Sequence, residues 1–150
     1  MEFIFKTKRL NWDVYALKIA EVAALRSEDP WRKVGACALD YNNRVIGVAY
    51  NGLAPGKKAP KNFWKDRDQR LPYMIHAEAN LLSLFERGKC KTLATTLLPC
   101  KSCATLIAGH GIKKVVYKEM YDRDKSALDI FKFYSIECIE INEKFLNKNI

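Results

Sequence analysis

The chain has 150 residues, 49% of them apolar, with 26 Lys and Arg against 17 Asp and Glu for a formal charge of +9. That suits a single domain over residues 1–150 with its own core, and no apolar run is long enough to cross a membrane. The basic excess, spread along the chain without a long block, favours anionic partners such as nucleotides, nucleic acid or phosphorylated metabolites. The odd count of five cysteines, with an N-terminus "MEFIFKTKRL" too short and polar for a secretory signal, argues against a disulfide framework and for a cytoplasmic protein.

"NWDVYALKIAEVAALRS" carries an apolar stripe at Trp12, Ala16, Ile19, Ala20 and Ala23, which predicts a helix capped by Asn11 or Asp13 and ended by Asp29-Pro30. "KVGACALD" and "RVIGVAY" predict two strands joined by a hairpin turn at "YNN". From Asn51 to Leu71 the periodicity dissolves into glycine, proline and charge, a loop longer than packing explains. "HAEANLLSLFERG" predicts a helix with the stripe Ala77, Leu81, Leu84 and Phe85, closed by Gly88. "TLATTLL" reads as a strand, and "PCKSCATLIAGHG" as a helix opened by Pro99 and closed at Gly109 or Gly111. "KKVVY", "KSALDIFKFY" and "SIECIEI" complete the chain as strand, helix and strand, leaving a disordered tail only at Phe145 to Ile150. Alternation of the later strands with helices predicts that they run parallel in one sheet covered by helices. Cys37 and Cys138 fall in strands as small hydrophobes, Cys90 in a turn, and His110 at a helix end as a cap.

Two segments carry chemistry. Cys100 and Cys103 lie three apart on one face of a helix, near the end whose dipole favours the thiolate a metal needs. His76 opens the preceding helix. In a parallel α/β arrangement both helix starts lie at the carboxyl edge of the strands, so three Zn²⁺ ligands converge and a fourth position stays open. Glu78, two residues after His76, points into the same cleft, where a carboxylate can move protons for a metal-activated water. The joint pattern H-A-E…P-C-K-S-C matches a known signature, that of zinc-dependent nucleobase deaminases, in which a glutamate beside the metal is the acid–base group.

With these residues in place, the chain from about Leu10 to Ile141 resembles the cytidine and deoxycytidylate deaminase superfamily, with dCMP deaminases the nearest branch. The likeness is carried by "RSEDPWRKVGACALDYNNRVIGVAYNG", "LPYMIHAEAN" and "LLPCKSCATLIAGHGIKKVVYKEMYDRD". The resemblance implies a three-layer α/β/α sandwich with a five-stranded mixed sheet and helices on both faces. It implies hydrolysis of dCMP to dUMP and ammonia, with zinc on His76, Cys100 and Cys103 and with Glu78 as proton shuttle. Asn51 would bind the sugar, the backbone at Ala77 and Pro99 the base, and Ser27, Tyr121 and Arg123 the sugar-phosphate side. It further implies activation by dCTP, inhibition by dTTP, and a homohexamer. Asn51, Gly52, Lys57 and Lys58 would contact effector phosphates, and dCTP is a possible second substrate. No second set of well-spaced Cys and His ligands is present, which gives one zinc per chain. A polynucleotide deaminase acting on transfer RNA adenosine or single-stranded cytidine is the alternative; "AYNG" and "YDRD" favour the nucleotide enzyme. A zinc-stabilised binding module without turnover would be expected to have lost Glu78, which is present.

Overall fold

Asn11 starts the first helix: its Oδ1 accepts the Val14 N–H at 2.9 Å, satisfying one of the helix's unpaired donors. That helix, α1 (Trp12–Ala24), buries Val14, Ala16, Leu17, Ala20, Ala23 and Ala24. Trp12, expected in the buried stripe, is instead 52% exposed at the helix entrance. The helix also stops before Asp29-Pro30. The N–H groups of Leu25, Arg26 and Ser27 each bond back three residues, so the last turn tightens and ends without help from proline. These coordinates are a computed structural model and describe residues 8–142 and 144; the tail expected at 145–150 lies outside the described residues.

The sheet holds β1 (Gly35–Asp40), β2 (Val45–Tyr50), β3 (Cys90–Leu97), β4 (Lys114–Glu119) and β5 (Glu137–Glu140), in spatial order β2-β1-β3-β4-β5. β1 is antiparallel to both β2 and β3, while β3, β4 and β5 run parallel. The β1–β2 hairpin turns on Asp40, whose Oδ1 accepts the N–H groups of Asn42 and Arg44, and on Asn43, which takes the left-handed conformation at φ 59°. Among the described residues, helices α2 (Ala77–Leu82), α3 (Lys101–Gly109) and α4 (Ser126–Phe133) follow, with two 3₁₀ turns in the loop between β2 and α2.

Strand periodicity sends neighbouring residues to opposite faces. Ala36, Ala38, Leu93 and Val115 pack with Leu81, Ile107 and Phe131 of α2, α3 and α4. Cys37, Leu39, Ala94 and Val116 pack with Val14, Leu17 and Ala20 of α1. The expected five-stranded mixed sheet with helices on both faces is therefore observed. The alanines of α1 let it approach closely: a Cβ on Gly35 would lie 1.9 Å from the Ala20 carbonyl oxygen.

Three further boundaries differ from expectation. α2 ends at Leu82, and Leu84 is 54% exposed, because the chain turns away through an i→i+3 bond from Leu84 N–H to the Leu81 carbonyl. Gly88, with φ 86°, is a turn residue bonded to the His110 carbonyl and does not cap α2. Cys90 opens β3, fully buried, with its Sγ 3.3 Å from the Thr92 carbonyl. His110 does close α3, and its Nε2 lies 2.9 Å from the Phe85 carbonyl. No helix among the described residues is long and apolar enough to cross a membrane.

Candidate metal centre and its cavity

His76 and Cys100 occupy equivalent positions: each is the extended N-cap residue of its helix, His76 for α2 and Cys100 for α3. Pro99 therefore precedes the cap instead of filling the first helical position, and Cys103 projects from the first turn beside Cys100. Parallel β3 and β4 put the start of α3 at the carboxyl edge of the sheet, and α2 packs beside α3. The His76 Nδ1 then lies 3.4 Å from the Cys100 Sγ and 3.3 Å from the Cys103 Sγ. All three donor atoms fall within 4.8 Å of one another. Tetrahedral zinc, at about 2.0 Å to nitrogen and about 2.3 Å to sulfur, requires N···S separations of about 3.5 Å. The donor set and its spacing fit that ion.

The three donor groups share protons closely among themselves. Hydrogen bonding from Cys103, and then burial opposed by His76, leaves the Cys100 thiol at about 4, the thiolate of the pair. The same sharing with Cys100, together with burial, holds the Cys103 thiol high. The hydrogen bond to Cys100 raises His76 above the ordinary imidazole range. Glu78 is 4% exposed, and burial raises its carboxyl above the usual range, which favours a group able to carry and release a proton. The Thr95 hydroxyl lies 3.1 Å from Glu78 Oε1.

His76, Glu78 and Cys100 border a cavity of about 260 Å³. His76, Ala77, Glu78, Cys100, Asn51, Tyr121 and Arg123 all line it. Pro99 lies between two lining residues, Leu98 and Cys100. Ser27 is buried outside the lining, its hydroxyl donating to the Asn51 carbonyl at 2.9 Å. The Asn51 side chain accepts from Val34 N–H at 2.9 Å and donates to the Arg32 carbonyl at 2.8 Å, so it also braces the chain entering β1. Gly52 exchanges two backbone bonds with Ile75, closing the base of the long loop. Lys57 lines a second cavity of about 690 Å³ held within that loop, with Phe63 and Tyr73; Lys58 is exposed.

Several cavity residues were not legible at the outset. Arg32, Arg67 and Arg70 join Arg123 in the lining, with Asp29 and Asp122. Arg70 and Asp29 form a buried ion pair, with Nε 3.0 and 2.9 Å from the two carboxylate oxygens, and Arg70 also donates to the Arg67 carbonyl. Asp29 additionally accepts the N–H groups of Trp31 and Arg32 at 2.8 and 3.2 Å. An aspartate before proline is a sequence signal for such a turn as well as for a helix stop. The Trp31 indole donates to the Trp64 carbonyl at 2.8 Å, a second tie between this segment and the loop.

Comparison with known proteins agrees with the geometry. Residues 10–119 match the model of the cytidine and deoxycytidylate deaminase zinc-binding region. The chain is 36% identical over 141 residues to a probable deoxycytidylate deaminase of Drosophila melanogaster, covering 80% of this chain and 68% of that one. It is 32% identical over 126 residues to the deoxycytidylate deaminase of Homo sapiens, covering 78% and 71%. Its fold superimposes on the dCMP deaminase of cyanophage S-TIM5, solved with dCMP and dUMP, at a TM-score of 0.73 and 24% identity over 89% of this chain and 99% of that one. A matching family model over most of the chain, together with a His/Cys/Cys donor set beside a buried glutamate, places it as a zinc-dependent hydrolytic deaminase of the cytidine and deoxycytidylate deaminase family.

Proposed function

We propose that this chain deaminates dCMP to dUMP and ammonia in pyrimidine deoxynucleotide metabolism, in the cytoplasm, with one zinc held by His76, Cys100 and Cys103. The observation that carries the reading is a buried carboxylate beside three converging metal donors, at a cavity that four arginines also line. Zinc there supplies a Lewis acid that makes water a nucleophile at neutral pH. Glu78 takes a proton from the attacking water and delivers it to N3 of the pyrimidine as oxygen bonds to C4. It then moves the second proton to the departing amine, so that water and the C–NH₂ group become a C=O group and ammonia. The backbone at Ala77 and Pro99 orients the base, and Asn51 the sugar. Tyr121, Arg123, Arg32 and Arg67 line the same cavity and favour a substrate bearing phosphate, which would compete with the pairing of Arg32 to Glu119 and of Arg67 and Arg123 to Asp68. Ser27 acts from behind, through the Asn51 carbonyl it holds.

Regulation belongs to the same proposal: dCTP activates, dTTP inhibits, Asn51, Gly52, Lys57 and Lys58 contact effector phosphates, and the enzyme assembles as a hexamer. dCTP is the second candidate substrate. The test is turnover of dCMP, dCTP, deoxycytidine and a short single-stranded oligonucleotide, each with and without dTTP. The proposal predicts dCMP to be turned over far faster than deoxycytidine or the oligonucleotide, with dTTP lowering the rate. Preference for the oligonucleotide would replace it with a polynucleotide deaminase.

A further inference from the structure

Thr95 stands on β3 in the row that faces α2, between Leu93 and Leu97, and is fully buried. A hydroxyl in an aliphatic row is costly to desolvate unless it is bonded. Its Oγ1 lies 3.1 Å from Glu78 Oε1 and 3.0 Å from the Leu97 carbonyl oxygen. A threonine hydroxyl both donates and accepts, so it can hold Oε1 whether or not Glu78 carries the proton, with the Leu97 carbonyl as its other neighbour.

The last torsion of a glutamate side chain is broad and roughly two-fold, so burial and the bond from its own backbone N–H leave the carboxylate only partly fixed about it. We infer that Thr95 is a positioning residue for the reaction: by holding Oε1 of Glu78 from behind, it fixes the carboxylate plane and presents Oε2 to the cavity. The inference rests on the proton-transfer role proposed for Glu78. It makes Thr95 act through orientation of that group, without touching substrate. β3 is suited to the task because it is the central strand, paired on both edges by β1 and β4, and so gives the hydroxyl a rigid mount.

The test compares Thr95→Val and Thr95→Ser in the zinc-loaded full chain. Valine keeps the branched shape and removes the hydroxyl; serine keeps the hydroxyl. Thr95→Val is expected to lower kcat for dCMP by about 10- to 100-fold, the scale of a misplaced catalytic group, with KM within about twofold. Zinc content and Tm should stay at wild-type values, and Thr95→Ser should recover most of kcat. A crystal structure of Thr95→Val should show the Glu78 carboxylate rotated. Wild-type kcat in Thr95→Val, an equal loss in Thr95→Ser, a loss confined to KM, or an unmoved carboxylate each overturns the inference. Glu78→Gln separates the two levels: if it is inactive while Thr95→Val is unimpaired, only the role of Thr95 falls. If Glu78→Gln is fully active, the general-base reading falls and the role of Thr95 with it.

Discussion

Replacing Arg70 with methionine should loosen the loop that contributes Arg67, Arg70 and Leu71 to the cavity lining. Arg70 and Asp29 are 3% and 1% exposed, and their paired atoms lie 2.9 to 3.0 Å apart. Removing one partner of such a pair leaves a buried charge and costs about 3–5 kcal/mol. Asp29 keeps two backbone donors, from Trp31 and Arg32, so the lower end, about 3 kcal/mol, is the expected loss. For a chain of this size that lowers Tm by roughly 6–12 °C. Urea and thermal melts followed by circular dichroism would measure it. Arg70→Met combined with Asp29→Asn leaves no unpaired charge and should cost clearly less than the two single losses added together. Because Arg70 also holds the Arg67 carbonyl, KM for dCMP should rise more than kcat falls. A single-variant loss under about 1 kcal/mol, or strict additivity in the double variant, would refute the claim that this pair anchors the loop.

Gly35→Ala should destabilise by about 3 kcal/mol or more, since the new methyl meets the Ala20 carbonyl and Ala24 nitrogen of α1 rather than a movable side chain; a melt within about 0.5 kcal/mol of wild type would contradict it. Burial lifts the thiols of Cys37 and Cys90 to about 12. A folded-state pKa above the unfolded one gives stability that is complete below about 8.5 and is lost as pH climbs toward about 12, so the chain should weaken over that window and Cys37→Ala should weaken less steeply, as read by urea melts from pH 8 to 11. Stripping zinc with a chelator should abolish deamination, lower Tm and expose Cys100 to thiol reagents, all reversed by added zinc; unchanged melting after complete removal would contradict a metal that ties α2 to α3.

The chemistry was legible because its parts are local. His76 and Glu78 are two residues apart, Cys100 and Cys103 three apart, and each pair falls at a helix start whose direction follows from the strand before or after it. The parallel half of the sheet was legible for a similar reason, since helices lie between its strands and force crossovers. What the sequence hid depends on distant pairing. Arg70 reads as one more charge in a charged loop until it meets Asp29, 41 residues away. Thr95 reads as a β-branched strand residue until α2 brings Glu78 against it. Trp12 fits the helical stripe by spacing, yet stands at the first position of α1 and stays half exposed, and Leu84 lies past the point where α2 turns away. Oδ1 and Nδ2 of Asn51 each hold one backbone group, of Val34 and Arg32, contacts that an Asn-Gly pair in sequence does not announce.

The proposed reaction turns on Glu78 moving protons beside a zinc held by His76, Cys100 and Cys103. Glu78→Ala with zinc measured per chain alongside ammonia release from dCMP tests that most directly. One zinc per chain with the rate lowered by at least about 10²-fold is the predicted result. A variant that keeps its zinc and still deaminates dCMP near the wild-type rate would contradict it.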